Sequence, residues 1–190
     1  MAPKKSGRDI KDLGAQLPPG TIARRYLHGS AGLIALIQRV NGAAVTVGER
    51  TVGAIDRGIL ALIGIERGDG SAQAGRLLER ILGYRIFEDV AGRMNLSLVD
   101  IQGGLLLVPQ FTLAAETHKG TRPGFSTAAE PAVARALFDG LLAAARASYA
   151  RVAMGEFGAH MQVSLVNDGP VTFWLRTAPD DKDLTDTPQA

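Results

Sequence analysis

Gly103-Gly104-Leu105-Leu106-Leu107-Val108-Pro109-Gln110-Phe111-Thr112-Leu113 is the stretch on which the fold turns. A double glycine opens it. From Leu105 to Leu113 nearly every position is apolar, the pattern of a strand covered on both faces rather than half-exposed. A chain with such a strand needs a layer on each side of its sheet. The far end carries a proline, an amide and a hydroxyl, which belong to a pocket wall rather than a core. By the period of two, Gln110 and Thr112 share one face and Pro109 and Phe111 the other.

Working outward, the flanking segments read as short strands and two helices. Leu33 to Val40 is an apolar run of strand length. Ala43 to Ile55 alternates and breaks at Gly48-Glu49, so the two together suggest a hairpin. Gly58 to Ile65 is a further buried strand, closed by Gly68-Asp69-Gly70. Ser71 then caps a helix whose inner face is Ala74, Leu77, Leu78, Ile81 and Leu82. A loop from Glu116 to Ser126 leads to a second helix near Glu130-Pro131, with Val133, Leu137, Leu141 and Ala144 facing inward. Arg151 to Met154, Met161 to Val166 and Val171 to Leu175 read as three short strands. The expected class is α+β: a mainly antiparallel β-sheet or barrel with two packed helices, in a single domain.

Size and charge agree with one domain carrying tails. A chain of 190 residues buries roughly 70% of its unfolded surface. Residues 1–32 hold six basic and two acidic groups, interrupted by Pro18-Pro19-Gly20, and read as a flexible basic extension. Residues 177–190, with one basic and four acidic groups, read as an acidic disordered tail, leaving the domain at 33–176 close to neutral. A nucleic-acid partner, if the chain has one, would have to be held by a local patch. No apolar run approaches the roughly 20 residues that cross a bilayer, and the N-terminus lacks the apolar core of a secretory signal. No membrane association is expected, and the expected location is cytoplasmic.

Several chemistries are excluded by the residues present. There is no cysteine, which removes disulfides, thiolate-bound zinc and cysteine nucleophiles. The G-x-S-x-G elbow, the P-loop and the G-x-G-x-x-G fingerprint are missing. His28, His118 and His160 lack metal-ligand spacing and read as surface residues. Glu88-Asp89, beside Gly92, read as turn acids rather than a catalytic pair. No metal or cofactor is called for, and an enzyme built from this chain works without a standard side-chain triad.

Seven stretches occur in the order found in one family: Ile34-Ala35-Leu36-Ile37-Gln38-Arg39-Val40, Tyr84-Arg85-Ile86-Phe87, Met94-Asn95-Leu96-Ser97, Gln110-Phe111-Thr112-Leu113, Lys119-Gly120-Thr121-Arg122-Pro123, Phe157-Gly158-Ala159 and Asn167-Asp168-Gly169-Pro170-Val171-Thr172. Through them, Leu33 to Leu175 resembles the D-aminoacyl-tRNA deacylases. The resemblance implies a homodimer that hydrolyses the ester between a D-amino acid, or glycine, and the 3′ end of tRNA. It implies a cis peptide at Gly169-Pro170, supplied by one subunit to the pocket of the other as a chiral filter.

It also implies that Gln110, Phe111 and Thr112 form the reaction side and that Arg39 orients the Gly-Pro loop. Pro109, Lys119 and Arg122 then stand on the substrate and tRNA side. A threonine hydroxyl needs an adjacent base to act as nucleophile, and neither segment supplies one. Backbone N–H groups of Phe111 or Thr112 are the expected oxyanion donors. Pro109 stands where the family commonly has serine, Gly124 replaces a second serine, and His160 replaces an acidic residue. Two alternatives stay open: a deacylase of relaxed chirality, to which Pro109 points, and a catalytically silent RNA-binding module on the same fold.

Overall fold

The structure, a computed structural model, describes residues 32–118 and 120–177. The expected basic extension (1–32), with His28, and the acidic tail (177–190) lie outside these residues, apart from Gly32 and Thr177. Strand β1 runs unbroken from Leu33 to Val47, where two segments are expected from the sequence. It turns at Gly48, whose φ of 58° suits glycine, into β2 (Arg50–Ile55), and β3 (Gly58–Gly64) returns on the same side of β1. Asn41-Gly42 is thus a bulge and not a chain break: the register against the opposite neighbour slips there by one residue. One slip swaps the faces of a strand. Accordingly Ala35 and Ile37 face the helices, whereas Ala43 and Val45 face the other core.

The leucine run forms β6 (Gly104–Pro109), parallel to β3 on one side and to β7 (Val152–Met154) on the other. Its continuous apolar character has the expected cause. Leu105 and Leu107 join the core beneath the helices, while Leu106 and Val108 join the core inside the curled sheet. The sheet curls until β2 reaches β7, where a Cβ on Gly53 would lie 2.3 Å from the Met154 carbonyl oxygen. The result is an antiparallel and parallel mixture close to a closed barrel.

Helix α1 (Ser71–Gly83) buries Ala74, Leu77, Leu78 and Ile81 as expected. Ser71 is its first turn rather than its cap: Gly70 precedes it, and the Gly70 N–H donates to Gln73 Oε1 at 3.2 Å. The hairpin of β4 (Phe87–Glu88) and β5 (Met94–Leu96) leads to a one-turn helix, α2 (Leu98–Ile101), which adds a third helix to the expected two. Helix α3 (Pro131–Ser148) starts on its proline as read, but its inner face is Ala134, Phe138, Leu141, Leu142 and Ala145. Val133 is exposed, so the buried stripe lies one residue further along than expected. The large ring of Phe138 determines this, because the stripe that buries it removes more apolar surface than one centred on Val133.

The two last expected strands are one. Strand β8 (Gln162–Thr177) runs antiparallel to β1 over its whole length and includes Asn167 to Pro170. Gln38 pairs with Thr172 and Val40 with Asn167, so Arg39 alone faces the residues between. Strand β8 bulges there and pairs with β1 on either side.

Candidate active site

Two regions carry the residues singled out by sequence, and the sheet holds them apart. At the end of β6 the Gln110 N–H donates to the Ile63 carbonyl at 2.7 Å, after which the chain leaves the sheet. Phe111–Ala114 is a 3₁₀ turn, not the continuation of a strand to Leu113. The reason is local: β3 ends at Gly64, and Leu113 folds across that glycine, where a Cβ would sit only 2.8 Å from the Leu113 Cβ. Period-two alternation therefore stops at Gln110. Gln110 and Thr112 still meet, because the turn brings the Gln110 Nε2 to donate to Thr112 Oγ1 at 2.5 Å.

Pro109 fits without cost. Leu105 N–H and Leu107 C=O point toward β7, so the position of residue 109 points the same way. Strand β7 has ended by that point, and the missing N–H removes no ladder bond. At the start of the 3₁₀ turn, Phe111 and Thr112 lie where backbone N–H groups have no acceptor within the turn. The Phe111 ring is exposed and packs against Phe125 at a centroid distance of 5.2 Å.

A cavity of about 630 Å³ opens beside this turn, lined by Pro109, Gln110, Phe111, Phe125, Phe157 and His160 among others. Arg67 stands at its wall, donating to the Ala128 carbonyl and to Glu130 at 3.1 Å. Phe125, Phe157, Met161 and the Ala128–Pro131 segment are walls that the sequence reading did not place at the site. Their signal was present, since Phe157-Gly158-Ala159 is one of the ordered stretches. Nothing in its spacing ties it to Gln110.

The second region is the β8 bulge. The Gly169-Pro170 peptide is cis, and both residues are exposed. Arg39 is buried beneath them, and its Nε donates to the Asp168 carbonyl at 2.9 Å and pairs with Asp168 Oδ2 at 3.0 Å. A second guanidinium nitrogen donates to the Ile86 carbonyl at 2.7 Å, and Glu88 lies 4.0 Å away. A buried charge needs such partners, and these give the guanidinium a single orientation.

Among the remaining candidates, Lys119 lies outside the described residues. Arg122 is exposed in its loop and does not line the cavity. His118 is exposed, and His160 is an exposed cavity wall. Asp89 accepts from the Arg93 backbone N–H first, then from the Ala91 N–H and Asn95, which holds its carboxyl below the usual carboxylate range. It is the turn acid read from the sequence. Among the described residues no cluster of His, Cys, Asp and Glu is arranged to hold a metal, and no helix is long and apolar enough to cross a membrane.

Residues 36–176 match the family profile described as D-Tyr-tRNA(Tyr) deacylase. A D-aminoacyl-tRNA deacylase of Thioalkalivibrio sulfidiphilus is 69% identical over 147 residues, spanning 77% of this chain and 99% of the relative. One from Nitrosococcus oceani is 58% identical over 147 residues, spanning 77% and 95%. Among solved structures, a c-Myc DNA unwinding element binding protein is 39% identical with a TM-score of 0.73, covering 76% of this chain and 98% of that one. A probable eukaryotic D-amino acid tRNA deacylase shares the fold at 18% identity, with a TM-score of 0.69 and coverage of 77% and 100%. The profile takes in most of the β-sheet and both long helices, and the relatives align almost end to end: the chain belongs to the D-aminoacyl-tRNA deacylase family.

Proposed function

We propose that the protein hydrolyses the ester joining a D-amino acid, or glycine mischarged on tRNA-Ala, to the 3′ end of tRNA, and does so as a homodimer. The observation that carries this reading is a separation. Between the Gly169-Pro170 bulge and Gln110 lie three strand spacings, from β8 through β1 and β3 to β6, and about five residues along the strands. At about 4.8 Å per strand and 3.3 Å per residue that is on the order of 20 Å along the sheet. Both regions are exposed, and one copy does not bring them to the same substrate. A second copy, presenting its bulge to the Gln110 turn, does.

In this reading the substrate carbonyl lies at the start of the 3₁₀ turn, where the Phe111 and Thr112 N–H groups face the developing oxyanion. Water attacks the carbonyl carbon, assisted by the 2′-OH of the terminal ribose. The ester C–O bond breaks, and the 3′-oxygen leaves with a proton to give free amino acid and tRNA. The bulge presses backbone against the substrate α-carbon and leaves room there for hydrogen only, so L-side chains are excluded. Pro170 fixes φ, and no rotamer can relax the wall. Lys119 and Arg122 meet phosphates of the acceptor end.

A second reading, a nucleic-acid-binding module without turnover, draws on the name of the c-Myc DNA unwinding element binding protein. Incubation with D-Tyr-tRNA and L-Tyr-tRNA separates the two, since a deacylase releases D-tyrosine alone. Comparable release from L-Thr-tRNA would favour relaxed chirality through Pro109. No release from any substrate, with enzyme in large excess, would favour the binding module.

A further inference from the structure

We propose that Asn167 is a positioning residue for chiral discrimination, holding the exit of the Gly169-Pro170 bulge as Arg39 holds its entrance. The inference rests on the chiral-filter reading above and deepens it. Where β8 leaves the ladder, five residue steps on β8, from Thr172 to Asn167, face two on β1, from Gln38 to Val40. The bulge takes main-chain groups out of pairing, and a buried carbonyl without a donor is costly. Two carbonyls at the base of the bulge, Arg39 O on β1 and Val171 O on β8, are both bonded by one side chain. Asn167 Nδ2 donates to the first at 2.9 Å and to the second at 3.1 Å. A primary amide has two N–H bonds, and both are used.

The consequence is geometric. Val171 immediately follows Pro170, so fixing the Val171 carbonyl fixes the peptide by which the bulge re-enters the strand. The same amide ties that carbonyl to the backbone of Arg39, whose side chain fixes the Asp168 carbonyl at the other end. Entrance and exit are thus referred to one residue of β1. Asn167 Oδ1 also lies under the bulge, 3.1 Å from where a Cβ on Gly169 would be, and such a Cβ would meet the Val171 nitrogen at 1.9 Å. The glycine is required by this floor before any substrate is considered.

Asn167→Asp keeps the size and the Oδ1 atom but replaces the donor by an acceptor facing two carbonyl oxygens. Two neutral hydrogen bonds correspond to a change of about ten- to thirtyfold. The experiment measures kcat/KM for D-Tyr-tRNA and L-Tyr-tRNA with wild type, Asn167→Asp, Asn167→Ala and Pro170→Ala, with thermal unfolding of each. The expected result is a D-to-L ratio reduced at least about tenfold in both Asn167 variants, with cooperative unfolding retained. In Asn167→Asp the ratio recovers as pH falls and the carboxyl regains a donor, whereas in Asn167→Ala it is flat with pH. If Pro170→Ala lowers the ratio and both Asn167 variants keep it, Asn167 has no positioning role while the filter stands. If Pro170→Ala also leaves the ratio unchanged, the filter reading falls and this inference with it. Should Asn167→Asp fail to fold, Asn167→Ala alone decides between these outcomes.

Discussion

Replacing Thr112 by alanine discriminates between two chemistries. Among the described residues the sole hydrogen-bonded partner of Thr112 Oγ1 is the Gln110 amide at 2.5 Å, and an amide nitrogen cannot take a proton from a hydroxyl in the way a histidine or lysine does. The hydroxyl is exposed, so its loss leaves no buried orphan. Thr112→Ala then removes one hydrogen bond that orients Gln110 and the start of the 3₁₀ turn. One neutral hydrogen bond is about 1 kcal/mol, roughly fivefold, and the cost of a displaced oxyanion donor reaches about 10² to 10³ in kcat. The expected loss therefore lies between about fivefold and 10³-fold, in kcat more than in KM. Single-turnover hydrolysis of labelled D-Tyr-tRNA with excess enzyme reads it directly. The same substrate ending in 2′-deoxyadenosine should lose more in the wild type than Thr112→Ala does. A loss above about 10⁴-fold, or a D-tyrosyl ester trapped on Thr112, would refute the argument and make the hydroxyl a nucleophile.

Other expectations concern the scaffold and the partner. Gly58→Ala puts a Cβ 1.9 Å from the Gly104 carbonyl oxygen, backbone that cannot yield, and should destabilise by about 3 kcal/mol or more in urea unfolding. Gly75→Ala, in α1 with open space around it, should instead stabilise by up to about 1 kcal/mol. Burial first, and then the nearby Glu66 charge, push the Asp69 carboxyl from 3.8 up to about 6, against the opposing Glu66 N–H bond and Arg176. Its contribution to stability is fully present below pH 4 and is lost as pH rises through 6. Asp69→Asn should thus gain on the wild type across that window, by on the order of 1 kcal/mol after discounting for partial exposure. A gap independent of pH in denaturant titrations would contradict the assignment. Arg122→Ala should weaken tRNA binding and lower its salt slope by about one; an unchanged slope removes Arg122 from the phosphate path.

The fold was legible where one residue type repeated against one period. The leucine run, the α1 face and Pro131 at the start of α3 follow from apolar spacing and from proline's missing N–H, and all three stand in the structure. What was not legible depended on partners. Asn41-Gly42 and Asn167 to Pro170 have the composition of loops, and both lie inside long strands because β1 and β8 pair on either side of them. The strand expected to reach Leu113 stops at Pro109 because β3 stops at Gly64, a fact about a neighbour 45 residues earlier in the chain.

The candidate site divides along the same line. Gln110, Thr112, Gly169 and Pro170 were named from their own segments, and the contact between Gln110 and Thr112 survives although the strand geometry behind it does not. The part played by Asn167 could not be named that way. Its amide acts on Arg39 O, 128 positions away, and becomes necessary only because β8 bulges where β1 does not. A local pattern shows which residues a segment holds in reserve for chemistry; the register between distant strands decides which of them face a substrate and which hold the others in place. Pro109 marks the boundary between the two kinds of knowledge. Its sequence context shows a departure from serine, whereas the end of β7 beside it shows that this departure takes no hydrogen bond from the sheet, leaving the cavity wall as the place where its effect must be felt.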